Sequence, residues 1–223
     1  MMKELLEKQA QFVARTADFV KKTLKNAEGG HDWFHTQRVY NNAIHIAQSE
    51  KVDLFIIALG ALLHDIADSK FHDGNEKVGP KIAQDFLDQH KIEKRITDHV
   101  VAIIKNISFK GGNRAKTFNS NELQVVQDAD RLDAIGAIGI ARTFNYGGFK
   151  NRMLYDPEIK PQLHMDAETY KKSTAPTINH FYEKLLLLKD LMNTKTGRKM
   201  AQERHIYMET FLEQFYKEWE GGK

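Results

Sequence analysis

Three His-Asp pairs and one aspartate-rich segment are the parts of this sequence with residue types suited to chemistry. The pairs are His31-Asp32, His64-Asp65 and His72-Asp73. Imidazole nitrogens and carboxylate oxygens together suit a divalent cation such as Mn, Fe, Co, Ni, Mg or Zn. A metal site is therefore predicted wherever the fold brings several of these groups together.

Only the second of the three pairs stands in an apolar context. His64 and Asp65 directly follow the run LFIIALGALL, whereas the other two pairs lie in polar segments beside glycines, where we expect surface residues. An unpaired charge at the end of a buried helix costs several kcal/mol. A divalent metal or a hydrogen-bonded ion pair would offset that cost. Because successive helical residues point about 100° apart, one ion can bind both side chains only near the helix end.

Further candidate ligands lie in two other segments. His35 begins a helical pattern in HDWFHTQRV, and Asp128, Asp130 and Asp133 lie in VVQDADRLDAIGAIGIAR. Each of the three aspartates has an apolar neighbour within a helical turn, so periodicity does not choose among them. The residues alone also leave open whether these polar groups bind a metal or form buried ion pairs.

Helical periodicity dominates the rest of the chain and predicts the elements that must position these groups. Asp53 is expected to cap a helix that is apolar nearly all round and therefore central. No alternating strand pattern is found, so an all-α bundle is predicted, as one domain over residues 1–223 with a core at 25–150 and a helical C-terminal part at 151–223. Helices are predicted from about residue 5 to before 29 and at 34–50, 54–65, 75–90, 93–107, 120–146, 166–192 and 196–219, with loops at 108–119 and 147–163.

Composition excludes several classes of protein. The 223 residues contain no cysteine, so disulfides, thiolate metal sites and a cysteine nucleophile are ruled out. The N-terminus lacks the apolar run of a signal peptide, and no stretch is long enough to span a bilayer, so a cytoplasmic protein is expected. The net charge of +3 is too small to indicate a dedicated nucleic-acid binder, although residues 105–116 carry four cations and no acid, a potential rim for anionic substrates.

The ordered set of His35, His64-Asp65 and Asp130, the last in an ADRLDA context, resembles the HD-domain phosphohydrolase superfamily. The segments HDWFHTQRV, ALLHDIADSKFH and VQDADRLDAIGAIGIARTF resemble its small bacterial members in particular. The resemblance is close over residues 25–150. It implies a helical fold around one divalent metal, with manganese the expected ion and Mg, Co, Ni, Fe or Zn as alternatives. It also implies that His35, His64, Asp65 and Asp130 are the ligands.

The resemblance further implies hydrolysis of phosphate bonds, often in nucleotides. Some relatives carry a carboxylate three residues after the His-Asp pair, here Asp68, which would orient or deprotonate the attacking water. Other relatives bind a second metal through histidines on a later helix. Here His99 is present, but Asn106 stands where a second histidine is expected, so one metal is predicted and His99 is expected to be a surface or packing residue.

A nucleoside triphosphate cleaved to a monophosphate and pyrophosphate is the predicted reaction. Release of phosphate from a nucleoside monophosphate and a non-catalytic nucleotide sensor are the alternatives. Nucleic acid and membrane partners are not expected, and the oligomeric state is not predicted. The residues expected to contact substrate are Arg38, Lys110, Arg114, Arg131, Arg142 and Tyr146.

Overall fold

The computed structural model describes residues 2–25, 27, 30–67, 75–107, 118–163, 165–166, 169 and 173–222. These residues form α-helices joined by turns and contain no strand, which confirms the predicted all-α fold. None of the described helices is both long and apolar enough to cross a membrane. The α-helices are α1 (Met2–Thr23), α2 (Trp33–Ala47), α3 (Leu54–Leu63), α4 (Val78–Gln89), α5 (Lys94–Asn106), α6 (Asn121–Asp133), α7 (Gly136–Phe149), α8 (Asn179–Glu183) and α9 (Lys195–Trp219), with a 3₁₀ helix at Leu185–Leu191.

The described residues cluster into two compact units, one ending at Ala129 within α6 and the other beginning at Asp130. The first unit is centred on α3, which packs against α1, α2 and α5. Every residue of α3 after Leu54 is buried, because the helix is apolar on all sides. Asp53 caps it by accepting hydrogen bonds from the backbone N–H groups of Phe55 and Ile56. The predicted cap and the predicted central helix are thus both confirmed, whereas the single domain stays a prediction.

The second unit is built on α9, the longest helix after residue 130 among those described. It packs against α7 and the 3₁₀ helix. The ring of Phe181 on α8 is fully buried and stacks on Phe211 of α9 at 5.8 Å between ring centres. Phe144 of α7 contacts both rings. These aromatic contacts form the core of this unit.

The helix predicted over residues 120–146 is wrong in one respect, since it is two helices. Ile135 is extended, with φ −128° and ψ 167°, and Gly136 has a φ of +74°. A φ in the left-handed region is open to glycine but costs other residues free energy, so the chain breaks there. The second helix, α7, then continues to Phe149 and takes in the first residues of the predicted 147–163 loop.

The helix predicted over residues 166–192 is also wrong. Among its described residues, 173–178 are not helical, and only the short helix α8 and the 3₁₀ helix follow them. The backbone N–H groups of Thr177 and Ile178 donate to the carbonyls of Met153 and Leu154 instead of to a preceding helical turn. Pro176 disfavours helical geometry in the residue before it and has no N–H to donate.

Candidate metal centre

Two histidines are brought together in the first unit by the ends of two helices. Asp32 caps α2, and its carboxylate accepts the backbone N–H of His35 at 2.8 Å. This cap fixes the first turn of α2, from which the His35 side chain enters the interior with 2% of its surface exposed. His64 is the C-terminal cap of α3 and is likewise buried. A helix start and a helix end therefore deliver the two imidazoles.

The two imidazoles face each other, with 3.3 Å between the Nε2 atoms of His35 and His64. The Nδ1 atom of His64 lies 2.8 Å from the carbonyl oxygen of Ala61. A carbonyl oxygen only accepts, so Nδ1 carries the proton and, in the neutral ring, Nε2 presents a lone pair. A metal-binding histidine is usually oriented in this way, by a hydrogen bond from the ring nitrogen that does not bind the metal.

The Asp65 carboxylate lies beside the histidines. Its Oδ2 atom is 4.0 Å from His35 Nε2 and 2.5 Å from His31 Nδ1. Burial acts to raise the pKa of the Asp65 carboxyl, but the hydrogen bond from His31 and the nearby imidazoles outweigh it, so the pKa is lowered overall. The carboxylate is therefore anionic and available as a ligand at neutral pH.

His31 was expected to be a surface residue, and the structure corrects that expectation. Its ring is only partly exposed and contacts Asp65, which lies 34 residues away in the sequence. Asp32, expected at the surface as well, is the cap of α2. The signal available in the sequence was the HDWFH spacing, since a capping aspartate places the preceding histidine beside the first helical turn.

The side chains around His35 are of the types that bind a divalent cation. His31, His35 and Asp65 each offer an atom, and these atoms lie within 4.8 Å of one another. Nearby, the Nε2 atom of His64 lies within 3.3 Å of that of His35. Imidazole nitrogen with carboxylate oxygen is a ligand mixture that first-row divalent metals accept.

Of the three aspartates on α6, one has a clear structural role. Asp133 is buried, and its Oδ2 atom lies 2.5 Å from a guanidinium nitrogen of Arg142. Asp128 is fully buried, and Asp130 is half-buried. In the first unit, Asn42 of α2 donates to the carbonyl oxygen of Ala129, the residue before Asp130, at 3.4 Å. Asp133 is thus the least suited of the three to be a metal ligand.

The predicted substrate residues divide into three groups. Arg131 donates to the carbonyl oxygen of Leu191 at 2.5 Å, and Arg142 pairs with Asp133, so both guanidinium groups have structural contacts. Arg38 is half-buried on α2, and Tyr146 is exposed on α7 with the Arg152 guanidinium 5.6 Å from its ring centre. Outside the described residues lie Asp68, Lys110, Arg114 and the pair His72-Asp73.

His99 has partners of its own in the first unit. Its Nε2 atom lies 2.9 Å from the hydroxyl of Ser120 and 3.4 Å from the Glu122 carboxylate. Glu122 also accepts the backbone N–H of Asp53 at 3.1 Å. These bonds tie α5 and the start of α6 to the start of α3, which is the packing role expected for His99.

Comparison with known proteins identifies the family of this chain. Residues 33–135 match the family model described as the HD domain. The chain is 41% identical over 221 residues to the uncharacterized protein YpgQ of Bacillus subtilis, covering 99% of this chain and 97% of YpgQ. His35, His64 and Asp65 lie inside the matched segment, whereas His31 and Asp32 come just before it.

Two solved structures have a similar fold. A crystal structure of an HD-superfamily hydrolase from Bacillus thuringiensis superposes with a TM-score of 0.77 at 45% identity, covering 95% of this chain and 98% of that one. A crystal structure of Bacillus subtilis YpgQ in complex with ADP superposes with a TM-score of 0.75, covering 94% of this chain and 96% of that one, with 35% identity in the superposition.

Proposed function

Because the chain belongs to the HD superfamily of hydrolases, we propose that it is a metal-dependent phosphohydrolase that acts on nucleotides. The observation that carries the proposal is the set of donors around His35, whose Nε2 atom lies 3.3 Å from His64 Nε2 and 4.0 Å from Asp65 Oδ2. Such a set has little use in stabilising a core, because each polar group there is costly to bury.

The proposed ligands are His35, His64, Asp65 and Asp130. The fourth comes from the resemblance to the family and is supported by the pairing of Asp133 with Arg142, which leaves fewer alternatives on α6. Manganese is the proposed ion on the basis of the resemblance to the family, with Mg, Co, Ni, Fe or Zn as alternatives. When bound, a divalent ion supplies Lewis-acid activation of water and neutralises charge on the phosphate.

The remaining steps fall to side chains of this chain. We assign Asp68 to orient the attacking water and accept its proton, which requires that the carboxylate lies within hydrogen-bond distance of it. Phosphoryl transfer depends on positioning and on cations that hold the remaining charge. Arg38, one helical turn after His35, is the first proposed cation. Lys110, Arg114, Arg131 and Arg142 are the further proposed cations, and Tyr146 is also proposed to contact the substrate. Arg131 and Arg142 contact other groups of the protein as well.

The proposed reaction converts a nucleoside triphosphate to a monophosphate and pyrophosphate. Water attacks the α-phosphorus, the bond from that phosphorus to the bridging oxygen breaks, and pyrophosphate leaves with the electron pair. Two observations support a polyphosphate substrate. The relative YpgQ has been crystallised in complex with ADP, and the segment 105–116 carries four cations and no acid. Additional negative charge on the ligand strengthens attraction to such a segment.

The test is product release from nucleoside mono- and triphosphates by protein stripped of metal with a chelator and then supplied with Mn, Mg, Co or Ni. We expect turnover only after metal is restored, with pyrophosphate as the product from triphosphates. Asp65→Ala should be inactive with every metal. Asp85→Ala, which removes an exposed carboxylate paired with Lys81 on α4, should retain wild-type activity.

Each other outcome has a defined meaning. Orthophosphate released from monophosphates, without pyrophosphate from triphosphates, would establish the phosphatase alternative. Nucleotide binding without turnover for any metal would contradict an enzyme and establish a nucleotide sensor. Full activity of Asp65→Ala would remove the histidine and aspartate cluster from the mechanism.

A further inference from the structure

We infer that His31 is a positioning residue of the metal centre, which holds the Asp65 carboxylate in place through a hydrogen bond from Nδ1. The inference rests on the proposed function, in which Asp65 is a ligand. His31 precedes the segment that matches the HD domain model, so neither the family match nor the predicted ligand set includes it.

Interatomic distances distinguish a positioning residue from a ligand. Two ligands about 2.1 Å from one ion lie roughly 3 Å apart in adjacent octahedral positions and about 4 Å apart in opposite ones. The distances from His35 Nε2 to His64 Nε2 and to Asp65 Oδ2, 3.3 and 4.0 Å, fall in that range. The 2.5 Å between His31 Nδ1 and Asp65 Oδ2 is shorter than such an edge and is a hydrogen-bond distance.

The chemistry of the two groups agrees with this role. A carboxylate oxygen accepts hydrogen bonds, whereas an imidazole N–H donates them. The 2.5 Å contact is therefore a hydrogen bond that His31 Nδ1 donates to Asp65 Oδ2. An ionised carboxylate has about four lone-pair sites, so Asp65 can accept this bond and still bind a cation. A nitrogen that carries a proton is not a ligand itself.

Local structure holds His31 in position for this contact. The next residue, Asp32, is fixed as the cap of α2 by its bond to the backbone of His35. The ring of His31 also meets the ring of His35 edge to face, with 5.8 Å between centres. A side chain restrained at both its backbone and its ring can orient a neighbouring carboxylate without rearrangement, which is the property that outer partners of metal ligands share.

The experiment measures Mn affinity by EPR titration of the full-length protein without nucleotide, so that no catalytic step enters. His31→Ala should weaken Mn binding by about 10- to 100-fold, the usual effect of losing the partner of a metal ligand. His31→Asn should restore most of that affinity, because an asparagine amide nitrogen lies about where Nδ1 does and also donates. His99→Ala is the matched control, since His99 is a partly exposed histidine paired with a carboxylate elsewhere in the same unit, and its Mn affinity should equal that of wild type.

Pulsed EPR at saturating Mn supplies the decisive second measurement. We expect the same number of coordinated imidazole nitrogens in wild type and in His31→Ala, because only His35 and His64 bind through nitrogen. A decrease by one in His31→Ala would make His31 a ligand and overturn the inference. Unchanged Mn affinity in His31→Ala would overturn it too. If wild-type protein bound no Mn, the proposed function itself would be contradicted. Weakened Mn binding by His31→Ala would support the role of His31 even if the protein cleaved no nucleotide.

Discussion

Three side chains of the candidate metal centre are held by hydrogen bonds or by a capped helix start. His64 is oriented by the carbonyl of Ala61, and Asp65 by His31. His35 is carried by a helix start that Asp32 caps. Such contacts hold the side chains in place before a metal ion binds, so fewer side chains have to move on binding. They therefore contribute more to metal affinity than to the stability of the fold.

Asp68 is the residue on which the proposed chemistry depends most. Asp68→Asn should retain Mn affinity while kcat falls by at least about 100-fold, since an amide cannot accept the proton from water. Mn titration and single-turnover kinetics on the same preparation separate the two effects. Asp98→Asn, at an exposed carboxylate that pairs with Lys94, is the matched control and should have wild-type kcat. Loss of Mn from Asp68→Asn would show that Asp68 is a ligand and would contradict the assigned role.

His180 in the second unit predicts a pH dependence of stability. Burial, together with the positive charges of Lys184 and Arg152, lowers the pKa of its imidazole to about 3. Between that pH and about 6.5 the unfolded chain binds a proton that the folded chain does not, so stability rises with pH in this window and is lost on acidification. The expected loss from pH 7.5 to pH 5 is up to about 2 kcal/mol.

Urea unfolding of wild type and His180→Gln across pH 5 to 7.5 checks this expectation. The variant should lose less stability on acidification than wild type, and the difference isolates His180 from other titrating groups. His45→Gln, at an exposed position near the end of α2, should retain the wild-type profile. If the stability of His180→Gln and of wild type changed with pH in the same way, the lowered pKa of His180 would be contradicted.

At the scale of elements, the junction of α6 and α7 is held by arginines that bind the end of α6. Arg204 of α9 donates to the carbonyl oxygen of Leu132 at 2.5 Å, and Arg142 of α7 donates to that of Asp133 at 3.1 Å. The last carbonyls of a helix have no partner within it, and basic side chains commonly satisfy them. Asp130 lies in this final turn, so the junction helps to place a proposed ligand.

Gly136→Ala should destabilise the protein by about 1–3 kcal/mol. Its φ of +74° costs a residue with a side chain about 1–2 kcal/mol, and the added Cβ would lie 2.9 Å from Cγ of Arg204. Gly148→Ala on α7 is the matched control. Apart from its own helix backbone and its chain neighbours, no atom of the described residues lies within 4 Å of its added Cβ, and alanine favours helix, so the variant should be neutral or slightly stabilising. Urea unfolding of both variants measures the difference, and equal stabilities would contradict the proposed strain.

At the scale of the molecule, the family match crosses the boundary between the two compact units. It covers residues 33–135, whereas the first unit ends at Ala129. The helix α6 runs through that boundary and carries Asp130 on its far side. A metal that binds only the folded chain is expected to add to its stability.

Manganese should raise the melting temperature of metal-free protein. A ligand at 100 times its Kd adds about 2.7 kcal/mol to the stability of the folded state. For a chain of this size that amounts to a rise of roughly 5–10 °C. Differential scanning calorimetry with and without Mn measures it, with Asp65→Ala as the control in which the shift should disappear. An equal shift in that variant would place the stabilising ion elsewhere and contradict the assigned site.

The sequence by itself was sufficient for the helical class, the central apolar helix, its Asp53 cap and the family. These features are local or depend on order along the chain: burial on all sides follows from an unbroken apolar run, and a cap is set by the residues next to it. The family was recognisable because its motif is a fixed order of few residues in characteristic contexts. The choice of His35, His64, Asp65 and Asp130 as ligands has the same basis and remains a proposal.

Only the tertiary structure decided the features that join distant segments. The contact between His31 and Asp65 crosses 34 residues, and the residues around His31 do not indicate which carboxylate it meets. A side chain added at Gly136 would meet Arg204 of α9, and the backbone of Thr177 pairs with that of Met153 in place of a helical turn. Helical periodicity reports which face of a segment is apolar, but the partner that each polar group finds across the fold depends on how the helices pack.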